Sequence, residues 1–269
     1  MINFPAVTGQ RLIKPLRKMG FEVIRRKGSH IFLQHVDGRC TVIPIHAMTE
    51  KEPMEEQVKS KQRVADHGEV LTGKREVNAM LDLVKQETER IESRFLEPAC
   101  GTGNFLAPIL ERKLAVVEKR YGKSQLDFER YAVLAVSSIY GIDIQEDNVR
   151  QCRQRLFGIF DLMYLRLFKN RTKDACRESV RFILERNIIW GDALDLKTRN
   201  EPRVPIVFSE WSPLNGSMLK RRDFFLSFLV NKQHQLTLFN DENQEVNLNE
   251  PVKEYPPVHF LEVADGDRH

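Results

Sequence analysis

The chain of 269 residues has little that would fasten or anchor it. Its four cysteines, Cys40, Cys100, Cys152 and Cys176, are scattered and form no Cys-x-x-Cys. That excludes a disulfide scaffold or a zinc ribbon, so no metal site is expected, and the thiols read as those of a reduced, cytoplasmic protein. No apolar run approaches the ~18 residues of a membrane span. The first residues carry no signal-peptide pattern, so export is not expected. There is no Gly-x-x-x-x-Gly-Lys-(Ser/Thr), which excludes a P-loop. No internal repeat is present.

Charge is present but unevenly spread. The net charge is +4. Residues 1–50 carry eight Lys/Arg against three Asp/Glu, and residues 240–269 carry two against eight. Basic segments suit a polyanion, although a solvated face is the commoner cause. The stretch "KEPMEEQVKSKQRVADHGE" has little apolar spacing and reads as a linker. The acidic, proline-bearing last 30 residues read as a poorly packed tail.

Between these, apolar spacing alternates between two periods. Val77, Leu81, Val84, Thr88, Ile91 and Phe95 recur at helical spacing. "FLEPACGTGNFL" then reads as a strand, a glycine turn and the start of a helix near Asn104, with Phe105, Ile109, Leu110, Leu114 and Val117 at helical spacing. A helix near 126–138 precedes the apolar strand "IYGIDI". The next helix has Asp147 as its expected cap and Val149, Cys152, Leu156, Phe160 and Met163 on one side. A helix near 174–186 leads to the strand in "NIIWGDAL". Strands separated by helices predict an α/β fold with a parallel sheet covered on both faces.

In such a sheet, ligands sit at the carboxyl ends of the strands. Gly101 and Gly103 permit positive φ and close backbone approach, and a helix start offers N–H groups to an anion. Asp143, ending the second strand, can accept ribose hydroxyls. Asp192, ending the third, can accept from an adenine amine. Each acid alone is an ordinary strand-end residue; three features in order at three strand ends point to adenosine. A dinucleotide fingerprint needs an acid about 20 residues past its glycines, whereas Asp143 stands 40 past Gly103. Glu97, just before the loop, would repel a pyrophosphate but suits an ammonium. S-adenosyl-L-methionine has both the adenosine and the ammonium.

"FLEPACGTGNFL", "YGIDIQEDNV" and "IIWGDAL" resemble the first three motifs of adenine-N6 DNA methyltransferases of restriction–modification systems. "ADHGEVLTGKREV" resembles the segment that precedes those motifs and folds over the cofactor. Leu71-Thr72-Gly73 stands where the family has Phe-Thr-Pro, so only Thr72 matches. The resemblance implies a Rossmann-like class I methyltransferase sheet. It implies that Glu97 and the backbone from Ala99 to Gly103 hold the amino-acid end. Asp143 and Ile144 would hold the ribose and flank the adenine, and Asp192 and Ala193 would meet its edge. DNA is the implied partner. The family's catalytic (Asn/Asp)-Pro-Pro-(Tyr/Phe) is missing, so no methyl-transfer residue is identified and the sheet is expected to be incomplete. "VFSEWSPLNG" offers Trp211 as a stacking ring and Asn215 as an acceptor, without the Pro-Pro turn. "EYPPVHF" has the prolines, but with Tyr255 and Val258 in the wrong places. The chain is therefore expected to be either a gene fragment or a half that works with a second chain carrying the tetrad and the target-recognition domain.

The basic head carries a separate pattern. Leu12, Leu16 and Met19 predict a short helix; "FEVIRR", "HIFLQHV" and "CTVIPI" predict three strands, with "DGR" as a turn. Gly28-Ser29-His30 and "VIPIH", ending in His46, resemble the HicA-type toxins, small messenger-RNA interferases with a small α+β fold like the double-stranded RNA-binding domain. The resemblance implies His30 as the catalytic acid–base group, with Arg25, Arg26 and Lys27 on RNA phosphates. The family's closing helix has only Met48, Met54 and Val58 as apolar candidates here.

The chain is thus expected to divide into a HicA-like segment at 1–47, a linker at 48–66, a cofactor-binding methyltransferase domain at 67–210 and a C-terminal extension at 211–269. Three readings stay open. These are a methyltransferase module needing a partner, a toxin-type ribonuclease, and a non-catalytic nucleic-acid-binding fusion.

Overall fold

The computed structural model describes residues 17, 21–27, 30–35, 40–44, 63, 72–227, 238–239, 245–246 and 250–265. The chain forms two compact units, Met1–Leu71 and Thr72–His269. No described helix is long and apolar enough to cross a membrane.

The first unit contains the three expected strands, β1 (Phe21–Lys27), β2 (His30–His35) and β3 (Cys40–Pro44), paired antiparallel in that order. The register shifts between Val23 and Arg25, so Ile24 falls outside the ladder and is 57% exposed. A bulge of this kind leaves its extra residue unpaired. Arg17 is helical. The other residues of the expected first helix, together with Gly28, Ser29 and His46, lie outside the described residues.

The second unit opens with α1 (Lys74–Leu81), a 3-10 turn (Asp82–Val84) and α2 (Lys85–Thr88). Val84 was expected on the buried side of one continuous helix, yet it is 45% exposed. The tighter 3-10 turn changes the residue period and rotates it outward. Next come β4 (Phe95–Glu97), α3 (Leu106–Tyr121), α4 (Gln125–Ser137), β5 (Ile139–Asp143), α5 (Glu146–Phe168), α6 (Asp174–Asn187), β6 (Ile188–Asp192) and β7 (Lys197–Thr198). Strands β4, β5 and β6 are parallel neighbours, and the two-residue β7 adds antiparallel to β6. The fold is therefore α/β, with a mixed sheet of mostly parallel strands.

Helices cover one face of that sheet. Ile139 and Ile188 pack there with Leu106, Leu110, Val149, Cys152 and Ile183. The other face is covered as well, with the helical Leu226 among the residues that cover it. Tyr140 and Ile142 pack against Ile206, Phe208 and Leu226, residues in or beside a hairpin of β8 (Val207–Pro213) and β9 (Met218–Phe225). Pro202 and Pro205 precede this hairpin, and a helix there would lose backbone donors. A two-residue pair, β10 (Leu238–Phe239) with β11 (Glu245–Val246), comes next. Finally β12 (Lys253–Glu254) and β13 (Val258–His259) pair with β9.

Within the acidic end, expected to be poorly packed, the described residues 250–265 contribute to the core. Phe260 and Val263 are core residues. Tyr255 donates to Asp223, which also pairs with Arg221 and accepts from Ser209. Strand β8 also runs across position 210, where the boundary of the extension was expected.

Buried polar groups hold the elements that carry the loop after β4. Lys113 of α3 is fully buried. Its ammonium donates to the Ile91 carbonyl at 2.9 Å, to Ser138 Oγ at 2.7 Å and to the Ser93 carbonyl. It fixes the turn entering β4 against the end of α4. Asn187 donates to the Ser137 and Ile139 carbonyls and accepts from Trp211 Nε1. Burying such groups is tolerable because they are satisfied.

Candidate cofactor site at the strand ends

The turn after β4 has the conformation that its glycines allow. Gly101 has φ +52° and Gly103 φ +86°, values that cost a residue with a Cβ about 1–2 kcal/mol. A Cβ on Gly103 would also stand 3.0 Å from Cys152 Sγ. Helix α3 begins at Leu106, two residues later than expected, because residues 101–105 are used in the turn.

Asp143 locks this loop. One carboxylate oxygen accepts from the Gly101 amide at 2.8 Å. The other accepts from the Gln145 amide at 2.8 Å and from Asn148 Nδ2 at 3.1 Å. Asp143 is only 8% exposed. It therefore ties β5, the glycine loop and the start of α5 into one unit. Asp147, the expected cap, lies inside the first turn of α5, and Gln145 occupies the cap position. A carboxylate offers about four lone-pair sites. Three are taken, so gripping two ribose hydroxyls requires one internal bond to be released.

Glu97 ends β4 half-buried. Burial raises its carboxyl above the ordinary carboxylate range, and the Ala99 amide, 3.4 Å away, pulls it back. Ala99 itself is exposed. Cys100 is buried beside Gly141, where a Cβ would meet Cys100 Sγ at 3.0 Å. Contact with the Cys152 thiol and burial push the Cys100 thiol far up, so Cys100 acts as a packing group.

The third strand end is more occupied than the sequence implied. Asp192 accepts from the Leu194 amide at 3.0 Å and pairs with Arg199 at 3.2 Å. Ala193 packs against the Tyr140 and Ile142 cluster. Ile144 is 40% exposed, and its carbonyl accepts from Trp190 Nε1 at 3.0 Å. Thr72 meets the loop through its backbone: its carbonyl accepts from Asn104 Nδ2 at 3.1 Å. Thr72, Ala99, Gly101, Gly103 and Asp143 are thus gathered about one loop, with Glu97 at its base. Ile144, Asp192 and Ala193 stand at the ends of the two neighbouring strands.

Sequence reasoning did not find Asn104, Asn148, Trp190 or Arg199. An asparagine directly after a glycine loop and an arginine seven residues past a strand-end acid were the available signals. Trp211 is not placed as a stacking ring. It is 5% exposed, lies edge-on to Phe182 and donates to Asn187. Asn215 borders an open groove with Arg130, Leu214 and Pro257, on the hairpin turn. In the first unit, the His30 backbone opens β2 opposite Lys27 and Pro44, and Arg25 is exposed. The His30, Arg26 and Lys27 side chains lie outside the described part of the structure.

A family model described as the HicA toxin of bacterial toxin-antitoxin systems matches residues 9–60. The head of the chain is therefore similar to that family, and the match runs into the stretch read as linker. No curated protein matches the chain, and no solved structure matches it.

Proposed function

We propose that the Thr72–His269 unit is a Rossmann-like, class I S-adenosyl-L-methionine-binding module of the adenine-N6 DNA methyltransferase kind. One observation carries this reading. A loop with two positive-φ glycines is fastened by an acid at the end of the adjacent parallel strand. That arrangement brings backbone amides and a carboxylate together at the carboxyl end of a sheet, where α/β folds bind ligands. Glu97 would take the ammonium of the amino-acid end. Asp143 and Ile144 would hold the ribose and adenine, and Asp192 would accept from the adenine amine. The methyl acceptor would be an adenine swung out of DNA. With no Asn/Asp-Pro-Pro-Tyr/Phe in the chain, a second chain would supply the group that orients its amine.

Calorimetric titration of the full chain with S-adenosyl-L-methionine tests the proposal. Saturable binding at one site is expected, with no N6-methyladenine formed by the chain alone. Absence of binding by a folded chain would remove the reading.

The family match at residues 9–60 favours a second reading for the head. It would bind RNA through Arg25 and its neighbours, and His30 would move a proton at a ribose hydroxyl or leaving oxygen. Cleavage of messenger RNA by the pure chain, lost on His30→Ala, is the expected result. Salt-sensitive RNA binding without cleavage would leave a non-catalytic binding segment.

A further inference from the structure

Asn104 joins three elements that the motifs alone leave unconnected. Its Nδ2 donates to the Thr72 carbonyl at 3.1 Å. Its Oδ1 accepts from Arg155 Nη1 of α5 at 2.8 Å. Arg155 Nη1 also reaches the Thr102 carbonyl, at 3.5 Å. Arg155 offers only donors, so it dictates which way the Asn104 amide points: oxygen toward the arginine, nitrogen toward Thr72. An aspartate at the same position would keep the arginine and lose the donor.

The segment that Asn104 holds is anchored from behind. Gly73 is the N-cap residue of α1, and its carbonyl accepts from the Val77 amide at 3.0 Å. Val77 and Leu81 are buried. Arg112 of α3 pairs with Asp82, just past α1, at 2.7 Å. Helix α1 is thus fixed on α3. The Asn104 amide then fixes Thr72, just before α1, beside Gly103 on the loop whose base is Glu97.

We infer that Asn104 is a positioning residue for the bound cofactor. By pinning the Thr72 carbonyl to the glycine loop, it sets how tightly the amino-acid end of the ligand is covered. It does so without contributing to recognition of the adenosine end. This rests on reading the loop as an S-adenosyl-L-methionine site. The chemistry separates the two ends: a ligand with the amino-acid end needs the cover, and one lacking it does not.

Two probes are titrated into the full chain and into Asn104→Asp. S-adenosylhomocysteine has the amino-acid end; 5′-methylthioadenosine has the same thioether and nucleoside without it. The variant is expected to bind S-adenosylhomocysteine about three- to tenfold more weakly, the range for one lost net hydrogen bond. Its affinity for 5′-methylthioadenosine should stay unchanged. A merely structural role would lower both, so equal loss on the two probes overturns the inference. Unchanged S-adenosylhomocysteine binding overturns it as well. If the unsubstituted chain binds neither probe, the cofactor reading fails and this inference fails with it. Binding by the unsubstituted chain with no selective loss sinks the Asn104 assignment alone. Asn104→Ala, with the same expectation, replaces the aspartate variant should that one not fold.

Discussion

Asp143→Ala is the sharpest perturbation of this molecule, because the carboxylate serves the fold and the candidate site together. It accepts from Gly101, Gln145 and Asn148 and is 8% exposed. Truncation strands two backbone donors and one side-chain donor. A stranded buried donor costs about 1–3 kcal/mol. The residue lies at a strand end, so water can enter the space and partner some of these groups. The total should therefore be nearer ~3 kcal/mol than three full penalties. For a unit of this size, ~1 kcal/mol moves the melting temperature by roughly 2–4 °C, so a fall of about 6–12 °C is expected. Asp143→Asn keeps the shape and one acceptor oxygen but points an NH₂ at donors, and should cost about half as much. Thermal melts followed by near-ultraviolet circular dichroism, with urea titration as a check, measure this without ligand. If Asp143→Ala melts within a degree or two of the parent, the lock joining β5, the loop and α5 does not hold the fold. On the proposed cofactor reading the same variant should lose S-adenosyl-L-methionine binding by at least about tenfold, since loop order and the ribose contact would be lost together.

Gly103→Ala should cost about 2 kcal/mol, combining positive φ with the approach to Cys152 Sγ. Adding Cys152→Ala should recover the steric part and leave the backbone part, as a double-mutant cycle in urea would read. Burial lowers the Lys113 ammonium to about 7. The unfolded chain then binds more protons than the folded one between that value and the ordinary lysine range. Stability should rise with pH across this window and fall as pH drops through about 7. Lys113→Met should abolish the slope, which denaturation at pH 7 and pH 9 would reveal. Glu97 has its carboxyl raised by burial, so affinity for an ammonium-bearing ligand should weaken on acidification, starting above the ordinary glutamate range. Glu97→Gln should bind weakly and lose that dependence, as titrations at several pH values would show.

The elements best read in the sequence are those whose burial is one-sided and periodic. Val149, Cys152, Leu156 and Phe160 line one side of α5 and are all buried, because a helix on a sheet must hide one stripe. The strands at 139–143 and 188–192 were legible as short apolar runs between helical patterns. What escaped was set by contacts distant in sequence. The acidic composition of the last 30 residues argued for solvation, but β12 and β13 bond to β9 through backbone groups, which composition does not report. Asp147 has the right chemistry for a cap, yet Asp143 already accepts from the Gln145 amide at the start of α5. Asn104 and Arg199 stood in suggestive positions, but what they bond to, 32 and seven residues away, was not legible from position alone.

Charge at the three strand ends narrows the chemistry of a fitting ligand. Asp192 is paired with Arg199, and Asp143 accepts from three donors. Glu97 differs, with the Ala99 amide at 3.4 Å as its described hydrogen-bond partner. A half-buried carboxylate with so little compensation is costly to ionise, and a cation beside it would lower that cost. A polyphosphate would do the opposite, adding like charge where the chain already carries it. Ligand cation and strand-end acid would thus each relieve the other. On the proposed cofactor reading, that would favour an adenosine bearing a positive amino-acid end over a nucleotide at this loop, and Glu97, not the glycines, would be the residue that discriminates between them.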